Sequence, residues 1–200
     1  MTRSLIRTSK KLSWLLRHGA HEAGLAMDPA GWAAIDDVLA TLRISRAQLQ
    51  YAYEQNDKRR LQIDGDRVRC CQGHSTAGTP VTAEALEATW TPWTGDIAYH
   101  GTYDGAVDGI ARDGLVPQAR THVHLAESTD STVGKRSRVH LLLHVDAARL
   151  RAAGIGLFAS PNGVLLARRV PRDCIVDLTP RTKRTRANEA ELRARLFGSG

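Results

Sequence analysis

From Ser4 to Arg17 the apolar residues Leu5, Leu12, Leu15 and Leu16 recur at helical spacing, and Gly19 follows as a stop signal, which predicts a first helix. Ile35, Val38, Leu39 and Leu42 fit a short second helix, with Asp36 and Asp37 placed to favour its N-terminus. Ser45 with Gln48 three residues on forms a capping-box pattern and opens a third helix running to about Asn56. Two strand-like runs follow, Arg60–Ile63 and Arg67–Cys71, joined by Asp64-Gly65-Asp66, a hairpin signal. Three helices and a hairpin, in that order, are the layout of a winged helix.

The stretch from Gly73 to Pro92 is rich in Gly, Thr, Ser and Pro at both ends and reads as a connection. Beyond Trp93 the texture changes. Short apolar strands are expected at Ile97–His100, His122–Ala126, Val139–Val145, Val164–Ala167 and Ile175–Leu178. Helices are expected at Tyr103–Asp113, closed by Gly114, and at Ala147–Ala153, closed by Gly154. These spacings are mostly too short for repeated βαβ crossovers, so the fold class is α+β, a mixed sandwich rather than a doubly wound sheet. The layout is therefore residues 1–75 as a first lobe, 76–92 as linker, 93–180 as a second lobe and 181–200 as a basic tail. A terminal helix is expected at Asn188–Phe197, and the tail is a candidate for RNA contact or disorder.

Composition narrows the class. The chain has 200 residues with 42% hydrophobic, enough for a buried core, but only 5% aromatic. No apolar run approaches the roughly 20 residues of a membrane-spanning helix, and the basic N-terminus reaches Arg17 before any signal-peptide core can form. Three cysteines, two of them adjacent (Cys70 and Cys71), give neither a disulfide framework nor a zinc knuckle, so a reduced, cytoplasmic protein is expected. Against 21 acidic residues stand 28 basic ones, a net charge of +7 that invites a polyanionic partner. Most of those cations are arginine, whose planar fork suits phosphate, although a coding bias gives the same ratio.

Arg17-His18 closes the first helix. Cations there complement the helix dipole; equally, Arg17 can clamp a phosphate with His18 as a titratable donor. Arg69 through Ser75 runs from the second hairpin strand into a loop containing Gly73. Tyr99-His100-Gly101-Thr102 closes a strand and opens a helix, where a glycine admits a ligand close to the backbone and a helix N-terminus favours pyrophosphate. His122 and His124 share one strand face, but no third ligand cluster stands out, so no metal is expected. There is no GxGxxG and no GxxxxGK[ST], which argues against Rossmann and P-loop sites.

These segments together resemble the RNA 2′-phosphotransferases of the KptA type, known from tRNA splicing. The matching stretches are Ser9 to His18, Gly31-Trp32, Asn56 to Arg60, Gln72 to Ser75, Tyr99 to Thr102, Arg120 to Leu125 and Asn162 to Val164, in family order from about residue 4 to 180. The resemblance implies a winged-helix lobe followed by an ADP-ribosyltransferase-type lobe. It also implies removal of an internal RNA 2′-phosphate with NAD as co-substrate. The phosphate attacks C1″ of the nicotinamide ribose and expels nicotinamide. O2″ then attacks phosphorus, giving RNA with a 2′-OH and ADP-ribose 1″,2″-cyclic phosphate. The family's catalytic set falls on Arg17, His18, Arg69 and Arg120, divided between the lobes, and NAD contacts fall on His100, Gly101, Thr102, His122, Asn162 and Gly163. The implied partner is a tRNA-like RNA bearing a 2′-phosphate, met by a monomer. Cys71 departs from the family pattern, standing where the family usually has Asn, and the Arg-rich tail beyond Pro180 has no family counterpart. Two other readings fit the same residues: an ADP-ribosyltransferase acting on terminal nucleic-acid phosphates, and a non-catalytic winged-helix nucleic-acid-binding protein.

Overall fold

The computed structural model describes residues 3–131 and 139–198. The chain forms two compact units. The first comprises Met1–Trp90, Gln118–Thr121 and Ser160–Asn162; the second comprises Thr91–Pro117, His122–Ala159 and Gly163–Gly200. Each has its own buried core. The class is α+β: every strand pair among the described residues is antiparallel.

In the first unit, α1 (Arg3–Trp14) continues through a π turn (Leu15–Gly19), followed by β1 (Ala33–Ala34), α2 (Ile35–Leu42) and α3 (Arg46–Glu54). The hairpin β2 (Leu61–Asp64) and β3 (Arg67–Cys70) pairs with β1 into a three-stranded sheet ordered β1-β3-β2, and α4 (Ala83–Glu87) comes last. Leu12, Leu15 and Leu16 are fully buried and meet Ile35 and Val38 of α2, Leu49 and Ala52 of α3 and Val68 of β3. Burying each such side chain contributes roughly 1.5–3 kcal/mol, which is what holds these short helices in place. The capping box that opens α3 is complete: Ser45 Oγ accepts from Gln48 N, and Gln48 Oε1 accepts from Ser45 N. Gly65 turns the hairpin at φ +58°, a conformation glycine adopts without steric cost.

The first helical run ends at Gly19, with Ala20 as its cap. Ala20 is still right-handed helical, and the chain reverses at Gly24, φ +62°. Gly19 serves packing as well, because a Cβ there would lie 2.5 Å from the Trp14 ring. The stretch read as a connection is also ordered: Val81, Leu86 and Trp90 are buried, and Thr82 caps α4 by accepting from Ala85 N.

The second unit holds two sheets. One has the order β4-β8-β9-β6, formed by β4 (Thr91–Pro92), β8 (Phe158–Ala159), β9 (Leu165–Ala167) and β6 (Val123–Leu125). The other is β10-β7-β5, formed by β10 (Ile175–Pro180), β7 (Leu141–Asp146) and β5 (Ile97–Thr102). Reciprocal hydrogen bonds between Tyr99 and Ala126, both 2.8 Å, join β5 to the end of β6. Helices α5 (Val107–Asp113) and α6 (Ala147–Ala152) cover the sheets with Ile110 and Leu150. The last residues are not a loose tail. They form α7 (Lys183–Ala187) and α8 (Glu189–Phe197), and Leu192 and Leu196 of α8 enter the same core. Their arginines meet carboxylates of this unit: Arg184 with Asp104, Arg193 with Asp177, and Arg195 with Asp108.

Candidate functional site

A cleft of about 480 Å³ opens in the first unit, between the outer face of α1 with its π turn and the loop after α3. Its walls include Lys10, Trp14, Arg17 and His18 on one side, and Asn56, Lys58 and Arg60 on the other. A π turn carries one more residue than an α turn, and this one follows the buried Leu15–Leu16 anchor. The Arg17 carbonyl is held from outside the helix, accepting from Ser75 N at 2.8 Å and Ser75 Oγ at 3.3 Å. Two glycines let that loop approach. A Cβ at Gly73 (φ +90°) would press on Arg17 Nε at 3.3 Å, and one at Gly78 would collide with the His18 carbonyl. The Gln72-Gly73-His74-Ser75 motif is therefore a backbone cradle for Arg17-His18.

Within this cradle the Arg17 guanidinium lies beside Cys70, whose thiol is pushed up by burial and so stays protonated. Arg17 Nε and Nη2 are shut off from solvent and have no hydrogen-bond partner. Across the cleft, Asn56 Oδ1 accepts from Lys58 N, while Asn56 Nδ2 is buried with no partner. Three buried donors without acceptors thus line one cleft. Each costs about 1–3 kcal/mol when left unsatisfied, and a charged donor costs more. An anion removes that cost. The neighbouring charges agree: burial, then Arg17, lower the Arg60 pKa, and burial, then Arg17 and Arg120, hold the His18 imidazole below its ordinary value. Asp57 is the one carboxylate on the cleft wall, and it acts on Arg60.

Arg120 arrives with the segment Gln118–Thr121, which packs with the first unit although the sequence reads as second lobe there. It forms an antiparallel bridge with Ser75, and Thr121 N donates to the His74 carbonyl at 3.2 Å. Arg17, His18 and Arg120 therefore gather around one loop. Arg69 does not join them. It is 2% exposed, donates from Nε to Gln62 Oε1 (2.9 Å) and from Nη1 to the Ala30 carbonyl (3.1 Å) and Thr89 Oγ1 (3.0 Å), and stacks on Trp32 at 4.6 Å. Successive residues of a strand face opposite ways, so with Cys70 turned to Arg17, Arg69 points to the other face of β3. Cys71 donates its thiol to the Arg59 carbonyl at 3.3 Å, tying β3 to the cleft loop, and burial pushes that thiol up to about 11.

The residues expected to contact NAD are divided. His100, Gly101, Thr102, His122 and Gly163 belong to the second unit. Within it, His100 Nδ1 donates to the His124 carbonyl at 2.9 Å, which fixes its proton on that nitrogen, while Thr102 and His122 are buried. Gly163 lies at φ +76° with open space where a Cβ would stand. Asn162 belongs to the first unit, where Nδ2 donates to the Lys58 carbonyl at 2.9 Å and Oδ1 accepts from Ser160 Oγ at 2.9 Å. It braces the cleft loop from behind. Among the described residues no group of three or more His, Cys, Asp and Glu side chains is placed to hold a metal, and no helix is long and apolar enough to cross a membrane. Asn56 and Arg60 were missed as site residues. Their signal was present in the Asn56-Asp57-Lys58-Arg59-Arg60 run, where one amide and three cations follow a helix end.

Comparison with known proteins gives the same direction. The family described as RNA 2′-phosphotransferase, Tpt1 / KptA family, matches residues 3–169. A Burkholderia lata protein named "Probable RNA 2'-phosphotransferase" is 40% identical over 181 residues, 86% of this chain and 90% of its own length. Proteins of the same name from Pseudomonas aeruginosa and Rhizobium leguminosarum are 39% and 37% identical, each covering 94% of its own length and 84% and 86% of this chain. With matches of this extent, the chain belongs to the RNA 2′-phosphotransferase, Tpt1 / KptA family.

Proposed function

We propose that this protein transfers an internal RNA 2′-phosphate to NAD, and that the first unit is a winged-helix lobe supplying the phosphate site while the second is an ADP-ribosyltransferase-type lobe supplying the NAD site. The observation that carries the proposal is the set of unsatisfied donors on Arg17 and Asn56, in a cleft where burial, and then the Arg17 charge, lower the pKa of His18 and Arg60. A dianionic 2′-phosphate fits that set. It offers three oxygens to fixed donors and relieves the repulsion between Arg17 and Arg60.

NAD, when bound, supplies an electrophilic C1″ and a leaving nicotinamide, and then the O2″ hydroxyl. The protein's residues do the rest. Arg17 and Asn56 hold the phosphate in line for attack. Arg120 and Arg60 neutralise it when phosphorus becomes the electrophile, since its negative charge otherwise repels O2″. His18, neutral in the free site, gains a proton as the dianion binds and delivers it to the departing RNA 2′-oxygen. Arg69, bonded through Nε to Gln62 and through Nη1 to Ala30 and Thr89, positions β2 and β3. His100, with its proton fixed on Nδ1, and Gly163, with open space where a Cβ would stand, fit a nucleotide brought against the backbone.

Incubation with NAD and a short RNA bearing one internal 2′-phosphate tests this. The expected result is RNA with a 2′-OH, formed only when NAD is present. Release of inorganic phosphate without NAD would refute transfer.

A further inference from the structure

Trp14 is 47% exposed and lines the same cleft as the buried Arg17 guanidinium. It is also pinned. The ring atoms Cη2, Cζ3 and Cε3 pack over Gly19, at 2.5 to 2.9 Å from where a Cβ would stand, so the π turn that presents Arg17 also fixes the indole. A rigid, half-exposed aromatic beside a phosphate anchor has one natural use: every nucleobase has a flat face that stacks on such a ring. Ribose carries its base on C1′ and the 2′-phosphate on the adjacent carbon, so a phosphate held by Arg17 and Asn56 brings its own base to the neighbouring wall.

We infer that Trp14 stacks the base of the nucleotide that bears the 2′-phosphate. The inference rests on the phosphate reading of Arg17 and Asn56 and adds a substrate class: a nucleoside 2′-phosphate of any base, since stacking carries no base-edge readout. Inorganic phosphate fills the anchor alone. Lys10, one helical turn before Trp14 on α1, extends the same wall with a cation.

Dissociation constants of a 2′-phosphorylated dinucleotide and of inorganic phosphate, for wild type, Trp14→Ala and Trp14→Phe, test the inference. Trp14→Ala should weaken the dinucleotide at least about fivefold, the low end for one stacked base, and leave inorganic phosphate within about twofold. Trp14→Phe, which keeps a flat ring, should recover most of the loss. Equal weakening of both probes would make Trp14 a support for Arg17 rather than a stacking platform, and no change in either would also overturn the inference. A wild-type protein with no preference for the 2′-phosphorylated dinucleotide over its 2′-hydroxyl counterpart would refute the phosphate site itself, and the inference with it.

Discussion

At the residue scale, Arg17 and Arg69 are opposites, although both fall on the family's catalytic set. Arg17 is half-buried, with Nε and Nη2 shut off from solvent and unpaired; Arg69 is buried, with Nε bonded to Gln62 and Nη1 to Ala30 and Thr89. Arg17→Met should therefore lower phosphate transfer at least about tenfold while leaving thermal stability unchanged or slightly higher, because it removes an unpaired buried charge. Arg69→Met should lose about 3 kcal/mol of stability or more, leaving buried acceptors unsatisfied and Trp32 unstacked; paired unfolding and activity measurements separate the two. His18 gives a pH signature. Its free-site value lies below the ordinary 6.5, and a bound dianion raises it. Between those two values the complex holds more protons than the free protein, so phosphate affinity should rise as pH falls through the ordinary imidazole range. His18→Gln should remove that part of the rise, leaving only the ligand's own titration, in binding measured across the same range. Arg17 and His18 stood out at the close of the first helix as an anion-binding pair, and Arg120 only through the family motifs. Arg69 stands apart from those three because a motif records residue order and not strand face: alternation along β3 sends Arg69 and Cys70 to opposite sides.

At the scale of elements, local signals were readable where one residue does one job. The Ser45–Gln48 capping box, the Asp-Gly hairpin and the glycines after α5 and α6 all stand as the sequence predicts. The π turn was not readable. Gly19 closes the run as expected, and it also accepts the Trp14 ring, a packing relation set by tertiary contact and invisible to periodicity. The two-residue strands β1, β4 and β8 were also missed, since no alternation can show over two positions. The cradle predicts a contrast between glycines. At Gly78 a Cβ meets the His18 carbonyl, so Gly78→Ala should displace the loop and cost both stability and activity. At Gly65 nothing lies within reach, so Gly65→Ala should cost only the strain of positive φ, about 1 kcal/mol, with activity retained. Chemical denaturation and turnover of both variants check this.

For the whole molecule, the net charge of +7 misleads if read residue by residue. Arginines of the last helices pair with carboxylates of the second unit, whereas the cleft cations of the first face one acidic side chain among them, Asp57. The C-terminal segment, a basic tail by composition with a helix expected at Asn188–Phe197, forms that helix as α8 and packs it on the core of the second unit. Its arginines hid two buried leucines, and Leu192→Ala should destabilise the protein by about 2–4 kcal/mol, seen as a lower unfolding midpoint. The mixed α and β class was legible because the segments beyond Trp93 are mostly too short for repeated βαβ crossovers. The return of Gln118–Thr121 and Ser160–Asn162 to the first unit was not, because short segments that cross between cores carry no periodicity of their own. The most direct test of the proposed reaction follows a labelled 2′-phosphate through one turnover with NAD, in wild type and in Arg17→Met. The label should pass from RNA to an ADP-ribose product in the wild type and remain on RNA in the variant; label released as inorganic phosphate, or transferred equally well by Arg17→Met, would contradict it.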